Sequence, residues 1–458
     1  MQVGTNSAVS EDQSFAESLA ERRCSAHADS NLATGLGGSR RASVEYPIPF
    51  RQGCLGGFVS PGGSAYRATI GPSPSQPPAR LPRCTQRMHV CIDYRPALRE
   101  GTGVGTYVRG LLGGLVRRHP ETTYTAFSAS WRDRLELPTD LTGVTPADAR
   151  IPVRLLDKLW HSYQRPGVER WAGAIDVAHS PSPLALPSSH AAEIVTIHDC
   201  YFLREPDRMS GVVRRDYVPL AQAAAARAEA ILTVSETTRN EVIELLGVAP
   251  ERVHVTYNGG GDNYCPVAGA REKVRAKFGI ERPFVLFAGR REYRKDLPTL
   301  LAAFDRLLQR YNDLELVLVG PAGDAWDSTW ATAPSAVQAR TTTMEHQTQQ
   351  DLELLYGAAQ ALVLPSLWEG FGLTGIEAMA CGTPVVAAEA GAMPEVYGDA
   401  AEWFPAGEHD ALAHALDRVL SDEDRRKELI GAGHARADLY TWDACAEVTH
   451  AVYKDVLR

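Results

Sequence analysis

The stretch EGFGLTGIEAMACGTPVV, residues 369–386, sets two glutamates eight positions apart on either side of a glycine-spaced turn. ALVL (361–364) before it reads as a strand, GIEAMA as a helix, and PVVA (384–387) as a second strand. Strand, turn, helix and strand in that order make a parallel β-α-β unit. The same alternation extends outward. Short, continuous, β-branched runs predict strands at 89–93, 193–197, 230–234, 252–256, 284–288 and 315–319. Helical patterns such as TYVRGLLGGLVRRH, SETTRNEVIELLG and DLPTLLAAFDRLLQRY separate them. Strands of this kind belong to parallel sheets covered on both faces. A polar stretch from Asn258 to Arg282 interrupts the alternation. The fold class expected is therefore α/β, with two doubly wound parallel-sheet domains, 88–266 and 267–440, facing a cleft. A C-terminal helix at 441–458 is expected to pack back on the first domain. Ligands of open α/β sheets sit beyond the carboxyl ends of the strands, so the cleft is the expected site.

The chain has 458 residues, too many for one core. It is 44% hydrophobic and 22% charged, as soluble globular proteins are. No run reaches the roughly 18 apolar residues of a membrane span, and the first residues lack the apolar core of a secretory signal. The eight cysteines form no C-x-x-C pair, which disfavours disulfides and zinc ribbons and suits a reducing cytoplasm. A net charge of −9 argues against nucleic-acid binding.

Residues 1–87 differ from the rest. Gly, Pro and Ser make up about a third of them, too few apolar side chains to offset ordering entropy, so a disordered extension is expected. They carry a net +3, and the remaining residues −12. Order is expected from MHVCIDYRP onward. Met88 as the true start and a natural disordered tail are both open readings.

Gly370 and Gly372 allow close approach of backbone to a ligand. Thr374 is a good N-cap for the helix that follows, and a helix N-terminus favours an anion such as a diphosphate. Glu377 has two readings. It is a carboxylate that accepts from two hydroxyls of a polyol, or it closes a Thr374–Glu377 capping box. FAGRREYRKDLPTLLAAF puts Arg290, Arg294 and Lys295 at a strand's carboxyl end, where they can neutralise a diphosphate or form a solvated basic loop.

EGFGLTGIEAMACGTPVVAAEAGAMPEVYGDAA closely resembles the E-x7-E region of family 4 glycosyltransferases, retaining enzymes of the GT-B fold. GTGVGTYVRGLL, DVAHSPSPLALP, VTIHDCYFLREP, ILTVSETTRNEV, VHVTYNGG and FAGRREYRKDLPTLLAAF resemble further family segments in order, from Met88 almost to the C-terminus. The resemblance implies that Glu377 holds the donor ribose and Glu369 the donor sugar. It implies that the amides of Phe371, Gly372 and Leu373 line sugar and phosphates. Arg290 and Lys295 match the basic pair on the diphosphate, with Arg294 a neighbour able to replace either. Gly103 and Gly105 match the loop facing donor phosphate and acceptor, and His198 a histidine beside the reacting carbon.

The activity so implied is metal-independent transfer of a sugar from a nucleotide diphosphate sugar, the co-substrate, to a sugar or lipid-linked acceptor, with no cofactor. No D-x-D lies at a strand end, in keeping with metal independence. The N-terminal segments look most like mannosyltransferases of bacterial polysaccharide synthesis, which favours GDP-mannose. TTTMEHQTQQ (341–350) replaces the usual glycine-containing strand end near the nucleobase, and leaves GDP, UDP and ADP all open. Asp296 stands where the family often has asparagine. VRLLDKLWHSYQRPGVERWAG (153–173) reads either as a core-facing helix or as a peripheral membrane contact at the inner face. An epimerase or phosphorylase on the same fold and a non-catalytic nucleotide-sugar-binding module are the alternatives.

Overall fold

A computed structural model describes residues 87–98, 101–131, 134–184, 186–208, 217–323 and 326–458. The reading of residues 1–87 as disordered falls, Arg87 apart, outside them. Residues 87–458 belong to one compact unit.

Among the described residues the chain forms two wholly parallel sheets. The first contains β1 (His89–Asp93), β2 (Thr123–Ala129), β3 (Val144–Ala149), β4 (Val177–Ser180), β5 (Ala192–Ile197), β6 (Ala230–Thr233) and β7 (Val253–Val255). Its spatial order is β3-β2-β1-β4-β5-β6-β7. The second contains β8 (Phe284–Ala288), β9 (Glu315–Val319), β10 (Thr341–Met344), β11 (Ala361–Leu364), β12 (Val385–Ala388) and β13 (Ala401–Phe404), in the order β10-β9-β8-β11-β12-β13. In each sheet the chain builds outward on one side, then returns to the middle and builds outward on the other. The reversal falls between β1 and β4, where Val90 faces Val177, and between β8 and β11, where Leu286 faces Leu362. Crevices open at such reversals, beyond the carboxyl ends of the strands.

The strands read as apolar runs because both faces are covered. All five residues of β8 are buried. Each such Val, Leu or Phe contributes about 1.5–3 kcal/mol on burial.

Six helices matter for the site. They are α1 (Gly103–Arg118), α2 (Val153–Tyr163), α3 (Glu236–Leu246), α4 (Leu297–Leu308), α5 (Leu373–Ala380) and α6 (Trp442–Asp455). Thr102 caps α1, its Oγ1 accepting from the Gly105 amide at 3.1 Å. In α2, Leu156 and Trp160 are buried in a core with Phe127 and Ala178, so this helix faces the core on one side. Its Val153, Leu155 and Tyr163 are exposed. The C-terminal helix α6 lies on α1, with Trp442 fully buried. Trp442 fits because position 110 is glycine. A Cβ there would come within 2.1 Å of the indole ring. Among the described residues no helix is long and apolar enough to cross a membrane.

Candidate active site

The chain leaves β11 at the switch point of the second sheet, turns through residues 365–372 and enters α5. The cap of α5 is Gly372, at φ 87°, and no side chain caps the helix. This corrects the reading of Thr374 as N-cap. The Tyr397 hydroxyl donates to the Gly372 carbonyl at 2.6 Å and closes the turn earlier, so Thr374 is already inside the helix. The first-turn amides of α5 thus have no side-chain partner, and such amides attract anions.

The same turn presses against the first sheet's domain. A Cβ at Gly370 would lie 1.8 Å from the His198 carbonyl oxygen, so only glycine fits. The Ser235 hydroxyl, at the N-cap of α3, donates to the Gly370 carbonyl at 2.7 Å. Glu395, in the short helix Met393–Tyr397, reaches across as well. Its carboxylate accepts from the amides of Glu236 at 2.7 Å and Thr237 at 2.9 Å, at the start of α3.

Glu369 is buried between two cations. Lys295 Nζ lies 2.5 Å from its Oε1, and Arg294 Nη1 lies 3.0 Å from its Oε2. Burial pushes the carboxyl up, but Lys295 and Arg294 outweigh burial and hold it at about 2. Arg294 also donates to the Trp368 carbonyl at 2.9 Å and lies 4.0 Å from Asp199 of the first domain. The basic cluster is therefore not uniform. Arg294 and Lys295 are partly buried and joined to Glu369, whereas the Arg290 side chain is 56% exposed, 3.9 Å from Glu292. Asp296, at φ 45°, takes the left-handed turn into α4, a conformation that asparagine and aspartate tolerate best.

Glu377 is buried in α5, on the opposite footing from Glu369. Its Oε2 accepts from the Tyr356 hydroxyl at 2.9 Å, and Tyr264 supplies a second hydroxyl. No capping box forms, because the carboxylate is engaged by tyrosines and Thr374 is not the cap. Burial raises the carboxyl to about 7, against the opposing hydrogen bonds from Tyr356 and Tyr264.

His198 follows β5. Its Nε2 lies 2.9 Å from the Pro181 carbonyl, which can only accept, so Nε2 carries the proton and Nδ1 is the acceptor. Tyr107 packs edge-on beneath the ring at 4.8 Å between centroids. Burial lowers the His198 pKa, against the Pro181 carbonyl and Asp199, and keeps the ring neutral. His179, behind it, lies 2.6 Å from the Tyr453 hydroxyl and 2.8 Å from Thr196 Oγ1, a satisfied core histidine.

The remaining residues singled out in the sequence lie at the ends of the same elements. Gly103 opens α1 and faces open space, and the Gly105 amide is taken up by Thr102. Phe371 is buried edge-on against Tyr440, and Leu373 packs against the cores of both domains. Gly101 lies against the His346 ring, which joins the first domain's glycine loop to the segment after β10. Tyr264, Tyr356, Tyr107 and Glu395 carried no signal in the sequence. Each is an ordinary residue there and gains meaning only from a partner distant in the chain.

Two family models match the chain in succession. One, described as Glycosyltransferase Family 4, covers residues 101–259, and the other, Glycosyl transferases group 1, covers 270–436. The chain is 29% identical over 380 residues to the O-antigen chain mannosyltransferase B of Escherichia coli, across 80% of this chain and 100% of that protein. Other curated relatives align over about half to two thirds of their length. Sucrose-phosphate synthase from Thermosynechococcus elongatus superposes with a TM-score of 0.66 at 22% identity, covering 81% of this chain and 99% of that one. HepE from Anabaena, in complex with UDP and glucose, superposes with a TM-score of 0.61 at 17% identity, covering 81% and 100%. Fold and matches together define a glycosyltransferase. The chain belongs to family 4 of these enzymes and has the GT-B fold.

Proposed function

We propose that this glycosyltransferase moves mannose from GDP-mannose to an acceptor hydroxyl in polysaccharide or glycolipid synthesis, with retention of anomeric configuration and without a metal. The observation that carries the reading is the Glu369–Arg294–Lys295 cluster, which lies just before the uncapped start of α5, next to Gly370, whose backbone lies against the His198 carbonyl. The resemblance to the Escherichia coli mannosyltransferase supports the choice of sugar.

In this reading the nucleoside diphosphate lies along the first-turn amides of α5. The main-chain amides of Phe371, Gly372 and Leu373 line it, and Glu377 holds the ribose hydroxyls. Lys295 and Arg294 share their charge between Glu369 and the phosphates, and the exposed Arg290 closes over the outer side. Glu369 accepts from hydroxyls of the sugar, and His198 accepts from another through Nδ1. The glycine loop at Gly103 and Gly105 faces the acceptor. The bond from the anomeric carbon to the β-phosphate oxygen breaks. The acceptor oxygen bonds to that carbon on the same face, and its proton passes to the departing phosphate. The protein contributes positioning and charge, both arranged before the reaction begins.

A lipid-linked acceptor would bring the chain to a membrane surface. The exposed Val153, Leu155 and Tyr163 of α2 are the apolar residues offered for that contact. Co-sedimentation with vesicles containing anionic lipid tests it, and equal pelleting of a Leu155→Ser, Tyr163→Ser variant would remove it.

The proposed activity is tested by a donor screen that measures nucleotide release with and without glycoside acceptors, in EDTA. GDP-mannose should give the fastest acceptor-dependent release, with α-linked product. Activity lost in EDTA and restored by Mg²⁺ or Mn²⁺ contradicts the metal-free charge arrangement. Preference for another donor overturns the choice of mannose.

A further inference from the structure

α1 runs from the cleft to the far side of its domain. It has 16 residues, so its C-terminal end lies about 24 Å from the glycine loop. There α6 crosses it, and four side chains meet. His119 and Glu121 come from the turn between α1 and β2, and Glu447 and His450 from one face of α6. The donor atoms of His119, Glu121 and His450 all lie within 4.8 Å of one another. The two imidazoles stack, with centroids 3.5 Å apart and planes 12° apart. His119 Nδ1 is 3.5 Å from Glu121 Oε1, and its Nε2 is 3.3 Å from Glu447 Oε2. That Nε2 is buried and, apart from this contact with Glu447, which lacks hydrogen-bond geometry, has no partner. A buried polar atom left unsatisfied calls for an explanation, and an unrecorded ion is one.

We propose that His119, Glu121 and His450, with Glu447 as fourth ligand, form a structural site for a divalent ion of the zinc type that fastens the C-terminal helix to the first domain. Two imidazoles and two carboxylates suit such an ion in chemistry and number. His450 Nε2 is engaged by Thr122 Oγ1 at 2.9 Å, which leaves Nδ1 as the ligand and supplies the outer hydrogen bond that metal-binding histidines need. Arg118 holds Glu447 in the same way, at 2.7 Å. The ion enters past Glu121 and Glu447, whose side chains are 59% and 43% exposed. Nitrogen ligands stand about 2.0–2.1 Å from zinc, so the donors draw together as it binds. The exposed Glu121 is free to do so, and a turn of the His119 ring brings its lone pair onto the ion. The site is separate from the transfer chemistry, which keeps its own charge arrangement.

The test uses the full-length untagged chain, stripped with EDTA, dialysed, and titrated with ZnCl₂ by calorimetry and thermal melting. Expected are one strong site per chain and a midpoint raised by on the order of 3 °C. Glu121→Gln and His119→Gln should each weaken zinc binding at least tenfold. Glu121→Gln, at an exposed position, should leave the zinc-free midpoint and the rate of sugar transfer unchanged. EDTA should lower the zinc-bound midpoint without changing turnover at temperatures below the melt. Absence of binding, or equal binding by wild type, Glu121→Gln and His119→Gln, overturns the site. Any bound zinc would then be adventitious.

Discussion

Glu369 and Glu377 carry the same chemical group, and their surroundings drive them in opposite directions. Lys295 and Arg294 outweigh burial at Glu369 and hold its carboxyl at about 2. Glu377 has only the Tyr356 and Tyr264 hydroxyls to offset burial, and its carboxyl rises to about 7. In the proposed site a ribose would bind the carboxylate form of Glu377, because only that form accepts on both oxygens. Nucleotide affinity should therefore fall as pH falls through 7, by up to about tenfold between pH 8 and pH 6. Comparison with Glu377→Gln isolates this part from the titration of the phosphate itself, since the glutamine has no proton to gain. Identical pH dependence in both proteins would show that Glu377 is not in contact with the ligand. Glu369 stays ionised over the whole range and acts through its cations. Glu369→Gln removes charged hydrogen bonds to the sugar as charge develops on its ring, a loss of about 1.5–3 kcal/mol, or ten- to a hundredfold in turnover. It also frees Lys295 and Arg294 for the diphosphate, so nucleoside diphosphate affinity should hold or rise. Steady-state kinetics with nucleotide inhibition separates the two. Equal losses in affinity and turnover would place Glu369 on the nucleotide instead.

At the scale of elements, the packing of α6 on α1 depends on a missing side chain. Gly110→Ala would drive a methyl group into the Trp442 ring. Overpacking of this kind costs about 1–3 kcal/mol, and thermal melting should show a midpoint lower by a few degrees. An unchanged midpoint would mean that α6 shifts freely on α1. The elements legible in the sequence were those whose composition matches their burial. The expected strands at 89–93, 284–288, 315–319 and 361–364 coincide with β1, β8, β9 and β11 to the residue. Those expected at 193–197, 230–234, 252–256 and 384–387 differ by one or two residues from β5, β6, β7 and β12. β2, β3, β4, β10 and β13 were not anticipated. β2, TYTAFSA, is almost wholly buried yet rich in Thr and Ser, because partners such as His89, 2.8 Å from Thr125 Oγ1, satisfy the hydroxyls. β3 and β10 are edge strands, and edges admit Pro146 and a run of threonines. The N-cap of α5 was misplaced for a related reason. Thr374 is the better cap by type, but the tertiary bond from Tyr397 closes the turn at Gly372.

Across the whole molecule, two sheets with the same reversal of strand order supply the residues of the proposed site. The first contributes His198 and the glycine loop, the second the cations and both glutamates. Ser235, Glu395 and the bare face of Gly370 hold the two domains together beside it. Of the proposed site, the cations and Glu377 could be singled out in the sequence by residue type and position, and Glu369 and His198 through the family resemblance. The tyrosines that set Glu377 could not, since Tyr264 is 113 residues away and Tyr356 is 21. The central claim is that the start of α5, at the switch point of the second sheet, is where the donor nucleotide binds. Calorimetric titration of GDP at pH 8 into wild type and Glu377→Gln tests it most directly. The account predicts affinity ten- to a hundredfold weaker in the variant, about 1.5–3 kcal/mol for charged hydrogen bonds lost, with the thermal midpoint retained. Equal affinity in the two proteins would contradict it and place the nucleotide elsewhere.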